Sequence, residues 1–151
     1  FSGLPGRLET VLIHNGITYI NDTTSTTPVA GEAAIKLYPK KRIVLIAGGN
    51  SKALHTEDLV RVISERCKSV VCISGTASES FRKSLVHCNR NLEISPIYTS
   101  LREAVQKARS YAEEGDVILF SPCFTSFDMF ENEYDRGKAY VREIQAIQAN
   151  T

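Results

Sequence analysis

The sequence lacks the features that mark a membrane protein or a nucleic-acid-binding protein. No run of apolar residues approaches the roughly 20 that a membrane-spanning helix needs, and residues 1–5 lack the charged-then-apolar order of a signal peptide. An excess of one charge is also missing, because 18 Lys and Arg stand against 17 Asp and Glu, a formal net charge of +1. We therefore expect a cytoplasmic protein that binds neither nucleic acid nor membranes.

Cysteine and histidine are sparse, and neither is spaced to hold a metal ion. The cysteines form no C-x-x-C pair, and the three histidines are scattered along the chain. No metal ligand is predicted. Cysteine is among the most frequently buried residue types, so we expect four reduced, buried thiols at Cys67, Cys72, Cys88 and Cys123.

Familiar catalytic motifs are absent as well. The chain has no G-x-S-x-G or H-E-x-x-H motif, no G-x-G-x-x-G after its first strand and no evident Ser/His/Asp set. The segment Gly48–Lys52 lacks the spacing of a phosphate-binding P-loop and the hydroxyl that would follow its lysine. No catalytic residue is predicted.

What the chain has is the composition of one soluble globular domain that spans residues 1–151. Hydrophobic residues make up 42% of it and charged residues 23%. Near-alternating apolar residues over 8–20 surround Asn15-Gly16, a dipeptide that accepts the positive φ angles of a tight type I′ turn. This pattern predicts a β-hairpin at the start of the chain.

Buried strands and amphipathic helices alternate after the hairpin. Continuous apolar runs predict strands over 42–47, 69–74, 92–98 and 116–121. Helices are predicted from Pro28 to Tyr38, over a final stretch 134–148, and after the cap residues Thr56, Thr76 and Ser100. Such alternation indicates an open, mostly parallel, doubly wound (Rossmann-like) α/β sheet with an antiparallel hairpin at its start.

Four loops follow the carboxyl ends of predicted strands, where ligands of such sheets bind. They cover residues 21–27, 48–52, 74–76 and 121–128, and they are rich in hydroxyl and glycine residues. Taken separately, each loop is compatible with a polar or anionic ligand, or with an ordinary solvated turn. The residues alone predict a soluble α/β domain with an anion-friendly edge.

Taken together, the loops are similar to a known family. Gly3-Leu4-Pro5-Gly6-Arg7-Leu8-Glu9, the run from Tyr19 to Pro28, and Leu45 to Lys52 resemble the carboxy-terminal domain of the Mur ligases. The match continues with Gly115 to Pro122, Ser126 to Asn132 and Arg136-Gly137, in the same order along nearly the entire chain. The resemblance is strongest to the branch of the family that adds D-glutamate.

The resemblance implies an ADP-forming ligase whose amino-terminal UDP-binding and central ATPase domains are absent from this chain. Such an enzyme uses ATP and Mg2+ to join D-glutamate to UDP-N-acetylmuramoyl-L-alanine in peptidoglycan synthesis. The domain alone is expected to bind no cofactor and to be inactive, and the enzyme is expected to be a monomer.

The resemblance also assigns site residues. Arg7 and Asp22 would contact the nucleotide, the arginine through phosphate charge and the aspartate through ribose hydroxyls. The D-glutamate pocket would consist of Thr26, Lys52, Ser126 and Phe127, with Lys52 facing a ligand carboxylate.

Three positions depart from the family pattern. Thr24 and Asn50 stand where a lysine and an aspartate are common, and Glu133 stands where an aromatic residue is expected. Two alternatives therefore stay open: a related Mur or folylpolyglutamate-type ligase domain with another amino-acid substrate, and a non-catalytic module that binds a small molecule.

Overall fold

A computed structural model describes residues 4–51, 55–126 and 130–150 of the chain. The strands are β1 (Glu9–His14), β2 (Ile17–Asn21), β3 (Ile43–Ala47), β4 (Cys67–Ile73), β5 (Glu93–Tyr98) and β6 (Val117–Phe120). The helices are α1 (Pro28–Ile35), α2 (Glu57–Arg66), α3 (Ser78–Cys88), α4 (Leu101–Tyr111) and α5 (Glu133–Ala149).

The six strands form one sheet in the order β1-β2-β6-β3-β4-β5. Only the β1–β2 pair is antiparallel, and the other neighbours run parallel. Asn15 and Gly16 connect β1 to β2 with φ angles of 53° and 75°, as a type I′ turn requires. The predicted fold class is confirmed, including the hairpin.

Helices cover both faces of the sheet. Helices α1, α2 and α3 pack on one face, where Ile35, Leu59, Ile63 and Phe81 join the apolar side chains of the strands. Helices α4 and α5 cover the other face, where Tyr140 stacks on Phe120 with ring centroids 4.5 Å apart. The central strand β3 is buried along its whole length because both faces are covered.

One predicted helix start differs from the structure, and another lacks its capping bond. Thr56 occupies the cap position of α2 as predicted, but its side chain makes no capping hydrogen bond. Thr76 was expected to cap α3, but Ala77 occupies the cap position and the Thr76 hydroxyl accepts a hydrogen bond from the backbone of Ser51. By contrast, Thr27 and Ser100 do cap α1 and α4 through their hydroxyls.

A buried carboxylate ties the amino ends of three strands together. The Asp116 side chain is fully buried and pairs with Lys68 Nζ at 2.6 Å and with Arg42 Nε at 3.1 Å. It also accepts a hydrogen bond from the backbone N–H of Glu113. The cluster lies at the amino ends of the strands, opposite the edge where ligands of such sheets bind, so we assign it a structural role.

We expect Asp116→Ala to lower the free energy of unfolding by about 2–3 kcal/mol. The substitution leaves Lys68 and Arg42 without this anionic partner, and the loss is moderate because water reaches both cations. Urea denaturation would measure the loss. Glu65→Ala, an exposed acidic residue on α2, is the matched control and should stay within about 0.5 kcal/mol of the parent. Equal effects of the two substitutions would contradict a structural role for the cluster.

Candidate functional site

Four loops meet at the carboxyl edge of the sheet. We call them loop 1 (residues 21–27), loop 2 (48–51), loop 3 (74–77) and loop 4 (121–126). They follow β2, β3, β4 and β6, which are neighbours in the sheet order β2-β6-β3-β4. The sequence predicted that these loops would lie along one edge, and the hydrogen bonds between them confirm it.

Loop 1 and loop 4 are joined by backbone and side-chain contacts. The N–H of Cys123 donates to the carbonyl of Ser25 at 2.9 Å. The Ser121 hydroxyl donates to Asp22 Oδ2 at 2.8 Å, and both residues are buried. These bonds bring the segment that contains Thr26 beside the segment that leads to Ser126.

Loop 2 lies against loop 4 on one side and loop 3 on the other. Asn50 and Thr125 exchange two backbone hydrogen bonds, of 2.8 and 3.1 Å, as a short antiparallel bridge. Asn50 Oδ1 accepts the backbone N–H of Thr76 at 2.8 Å. The residue that replaces the usual aspartate therefore keeps the acceptor function of a carboxylate without its charge.

Glycines permit this close approach of loops 2 and 3. A Cβ at Gly48 would collide with the carbonyl of Ile73, and a Cβ at Gly75 would collide with the backbone of Gly49. Gly48, Gly49 and Gly75 have positive φ angles of 142°, 149° and 156°, which residues other than glycine rarely adopt. The glycines are thus needed to pack the loops together.

Asp22 is enclosed at the centre of the site. Its Oδ1 accepts the backbone N–H of Leu8 at 3.1 Å while Oδ2 accepts the Ser121 hydroxyl. Burial raises the pKa of Asp22 above its ordinary value, and the two hydrogen bonds and the charge of Arg7 oppose that rise. The carboxylate therefore holds the segment that carries Arg7, whose own side chain is exposed.

Thr24 strengthens the same connection. Its backbone N–H and its hydroxyl both donate to the carbonyl of Gly6, each at 3.0 Å. A lysine, which is common at this position in the family pattern, has no hydroxyl that could form the second bond. The segment around Arg7 is thus fixed to loop 1 on both sides, by Thr24 at Gly6 and by Asp22 at Leu8.

The structure describes two of the four residues expected to contact the amino acid. Thr26 is half-buried in loop 1, and Ser126 is 7% exposed at the end of loop 4. The Ser126 hydroxyl has no hydrogen-bond partner among the described residues. Lys52 and Phe127 lie outside the described ranges, so their roles stay predictions.

Arg136, which the sequence presents only within the Arg136-Gly137 pair, is a further residue of the site. It is 1% exposed, and its guanidinium donates to the carbonyl of Thr23 at 2.7 Å, to the Thr23 hydroxyl at 3.1 Å and to the carbonyl of Phe124 at 3.0 Å. Burial lowers its pKa to about 10. Spacing could have revealed it, because Arg136 stands four residues before the buried Tyr140.

Glu133, at the position where the family pattern has an aromatic residue, contacts loop 1 through its backbone. The Thr23 hydroxyl donates to the Glu133 carbonyl at 2.6 Å. The contact uses no side-chain atom of Glu133, so it does not explain the choice of residue.

The thiols show one correction. Cys67, Cys72 and Cys123 are buried and reduced as predicted, and burial raises the pKa of Cys67 and of Cys72 to about 12. Cys88 is exposed, which contradicts the prediction, because it is in the last turn of α3 on the side that faces solvent.

Within the described ranges, no cluster of three or more His, Cys, Asp or Glu residues could hold a metal ion. No helix in those ranges is long and apolar enough to cross a membrane.

This geometry defines a class of protein: an open α/β domain whose polar loops gather at the edge where such sheets bind ligands. Residues 6–124 match the model of one family, described as "Mur ligase, glutamate ligase domain". The chain belongs to this family.

Curated relatives of this chain share one name. It is 39% identical to the UDP-N-acetylmuramoylalanine–D-glutamate ligase of Roseiflexus sp. (strain RS-1), over 97% of this chain and 31% of that protein. It is 37% identical to the ligase of the same name from Aquifex aeolicus, over 96% of this chain and 34% of that protein. The chain thus spans about a third of the curated relatives it matches, and it is homologous to their carboxy-terminal region.

Solved structures support the fold. A murein peptide ligase from Psychrobacter arcticus 273-4 matches with a TM-score of 0.65 at 14% identity, over 97% of this chain and 31% of that chain. A bifunctional folylpolyglutamate synthase/dihydrofolate synthase from Yersinia pestis matches with a TM-score of 0.55 at 18% identity, over 97% and 32%. At these identities the two structures indicate the fold alone.

Proposed function

We propose that this chain is the carboxy-terminal domain of a cytoplasmic, ATP-dependent ligase that adds D-glutamate to UDP-N-acetylmuramoyl-L-alanine. It supplies the amino-acid pocket and part of the nucleotide site. The observation that supports the proposal is the junction of loops 1 and 4. The Cys123 N–H donates to the carbonyl of Ser25, the residue before Thr26, and the buried Ser126 hydroxyl of loop 4 has no hydrogen-bond partner among the described residues. Two curated relatives with this activity support the choice of substrate.

The nucleotide part of the site depends on Arg7 and Asp22. Arg7 is exposed and offers a guanidinium to a phosphate. Each oxygen of the Asp22 carboxylate accepts one hydrogen bond from the protein and retains a lone pair for a ribose hydroxyl. Asp22 also positions Arg7 through the adjacent Leu8, so the two residues act as one unit.

The amino-acid part combines hydroxyl donors with a cation. Thr26 and Ser126 would donate to the carboxylates of D-glutamate, Lys52 would neutralise one of them, and Phe127 would form the wall. A buried hydroxyl without a partner costs about 1–3 kcal/mol, and a bound carboxylate that accepts its hydrogen bond recovers this cost. If another amino acid is the substrate, the ligase should prefer that amino acid to D-glutamate.

The proposed chemistry is that of the whole ligase. In the family reaction, ATP with Mg2+ activates a substrate carboxylate as an acyl phosphate, which the D-glutamate amine attacks, so that an amide, ADP and phosphate result. This domain would bind and orient the attacking amino acid and the nucleotide, and its catalytic contribution would be proximity and charge stabilisation.

The assay for this proposal measures D-glutamate-dependent ADP release by a full-length protein that carries this chain. Ser126→Ala should raise KM for D-glutamate by about tenfold or more, the effect of removing one hydrogen bond to a charged ligand, and leave KM for ATP unchanged. Lys52→Ala should raise the same KM further.

Ser80→Ala, on the exposed side of α3, is the control and should change neither constant. A Ser126→Ala enzyme with an unchanged KM for D-glutamate would refute the pocket assignment. A protein that prefers another amino acid, or none, would support one of the two alternative functions.

A further inference from the structure

A cavity of about 360 Å3 lies between α5 and the segment that leads into β1. Its size is within the range of small-molecule sites. Pro5 and Gly6 form one wall, and Asn21 and Thr23 form another. The family assignment gives no role to this cavity, and none of the residues expected to contact D-glutamate lines it.

One face of α5 forms the opposite wall. Tyr134, Gly137, Lys138 and Val141 line the cavity at the spacing of a single helical stripe. Gly137 packs so closely on Thr23 that a Cβ there would collide with the Thr23 methyl group. The missing side chain therefore allows α5 to pack directly on loop 1, with Tyr134 and Val141 on either side of this contact along the helix.

The cavity and the Asp22 carboxylate lie on opposite faces of the sheet. Asn21 and Thr23 line the cavity, whereas Asp22 between them bonds to Leu8 and Ser121. Leu8 packs against the core beneath α1, α2 and α3, while α5 covers the other face. The carboxylate proposed to contact the ribose therefore does not line the cavity.

The charges at the rim favour an anion. Lys138 and Arg142 line the cavity one turn apart on α5 and are exposed, and neither has an ion-pair partner in the described ranges. Glu9 also lines it, but its Oε1 already accepts the N–H of Gly6 and the Nδ2 group of Asn21. The apolar part of the lining includes a tyrosine side chain.

We propose that this cavity is a second ligand site that binds a small planar aromatic anion. The ring lies against the side chains of Tyr134 and Val141, and the anionic group pairs with Lys138 and Arg142. Such a ligand would contact Thr23 and thereby stabilise loop 1. The inference does not depend on the ligase function.

The test uses the 151-residue chain labelled with 15N and titrated with 2-naphthoate. We expect amide shift changes at residues 134–142 and 6–9. The double charge reversal Lys138→Glu/Arg142→Glu should weaken binding by about tenfold or more, and the neutral isostere 2-naphthamide should bind about as weakly, because both remove the charge pairing. Both substituted side chains are exposed, so the variant should keep the dispersed spectrum of the parent.

The control is Lys36→Glu/Lys40→Glu, which makes the same change in net charge at exposed positions away from the cavity. Its affinity for 2-naphthoate should match that of the parent. Equal weakening by both variants, or shift changes that avoid α5, would overturn the proposal. Displacement of 2-naphthoate by ADP from the same α5 residues would also overturn it, because the cavity would then belong to the nucleotide site.

Discussion

Gly75→Ala is expected to lower the free energy of unfolding by about 3 kcal/mol or more, the combined cost of an unfavourable φ and of overpacking. Gly75 has a φ of 156°, and an added Cβ would collide with the C, O and Cα atoms of Gly49. Those atoms are backbone, so no side-chain rotation relieves the collision, and loops 2 and 3 would have to separate. Urea denaturation of the two proteins would measure the difference.

Gly16→Ala is a matched control. Gly16 also has a positive φ, of 75°, but its added Cβ would meet the exposed side chain of Glu114, which can rotate away. We expect a loss of about 1–2 kcal/mol, the cost of the left-handed conformation alone. If Gly75→Ala costs no more than Gly16→Ala, loops 2 and 3 are not packed as closely as the structure shows.

The strands and their parallel pairing were predictable because burial on both faces leaves a continuous apolar run. Ile43–Ala47 and Val117–Phe120 were found in this way, and the Asn15-Gly16 turn was found from its backbone preference. The order of the strands was not predicted. It depends on which apolar faces meet in space, and no local pattern in the chain encodes that.

The meeting of the four loops followed from a general rule of parallel sheets, but the bonds inside the site did not. The spacing of Thr76 and Glu79 indicated a capping box. In the folded chain the Thr76 hydroxyl accepts the N–H of Ser51 instead, because loops 2 and 3 are packed together through glycine. A tertiary contact thus replaced a local one.

Asn50 is a second residue whose tertiary contacts could not be predicted from the sequence. Aspartate is common at this position in the family pattern, so the sequence indicated only that asparagine removes a negative charge. The structure shows that its carbonyl oxygen binds the backbone of loop 3 and that its main chain pairs with Thr125. The position is therefore occupied by interactions within the domain, which explains how the site keeps its shape without the carboxylate.

Arg136→Met should destabilise the chain and separate loop 1 from loop 4. The guanidinium donates to Thr23 and Phe124, one residue from each of these loops, and hydrogen bonds from a charged donor contribute about 1.5–3 kcal/mol each. Burial of the cation costs part of this gain, as its lowered pKa indicates. We expect a net loss of about 3 kcal/mol in the free energy of unfolding, because two buried carbonyls remain without donors.

Arg136→Lys separates charge from geometry. Lysine keeps the positive charge but offers one ammonium in place of a planar group that reaches both loops, so we expect most of the loss to remain, about 2 kcal/mol. Arg142→Lys on the exposed side of the same helix should change stability by less than about 0.5 kcal/mol. If Arg136→Lys were as stable as the parent, charge alone would suffice. Because Thr26 and Ser126 lie on the two loops that the guanidinium connects, its loss in a full-length ligase should also raise KM for the amino acid.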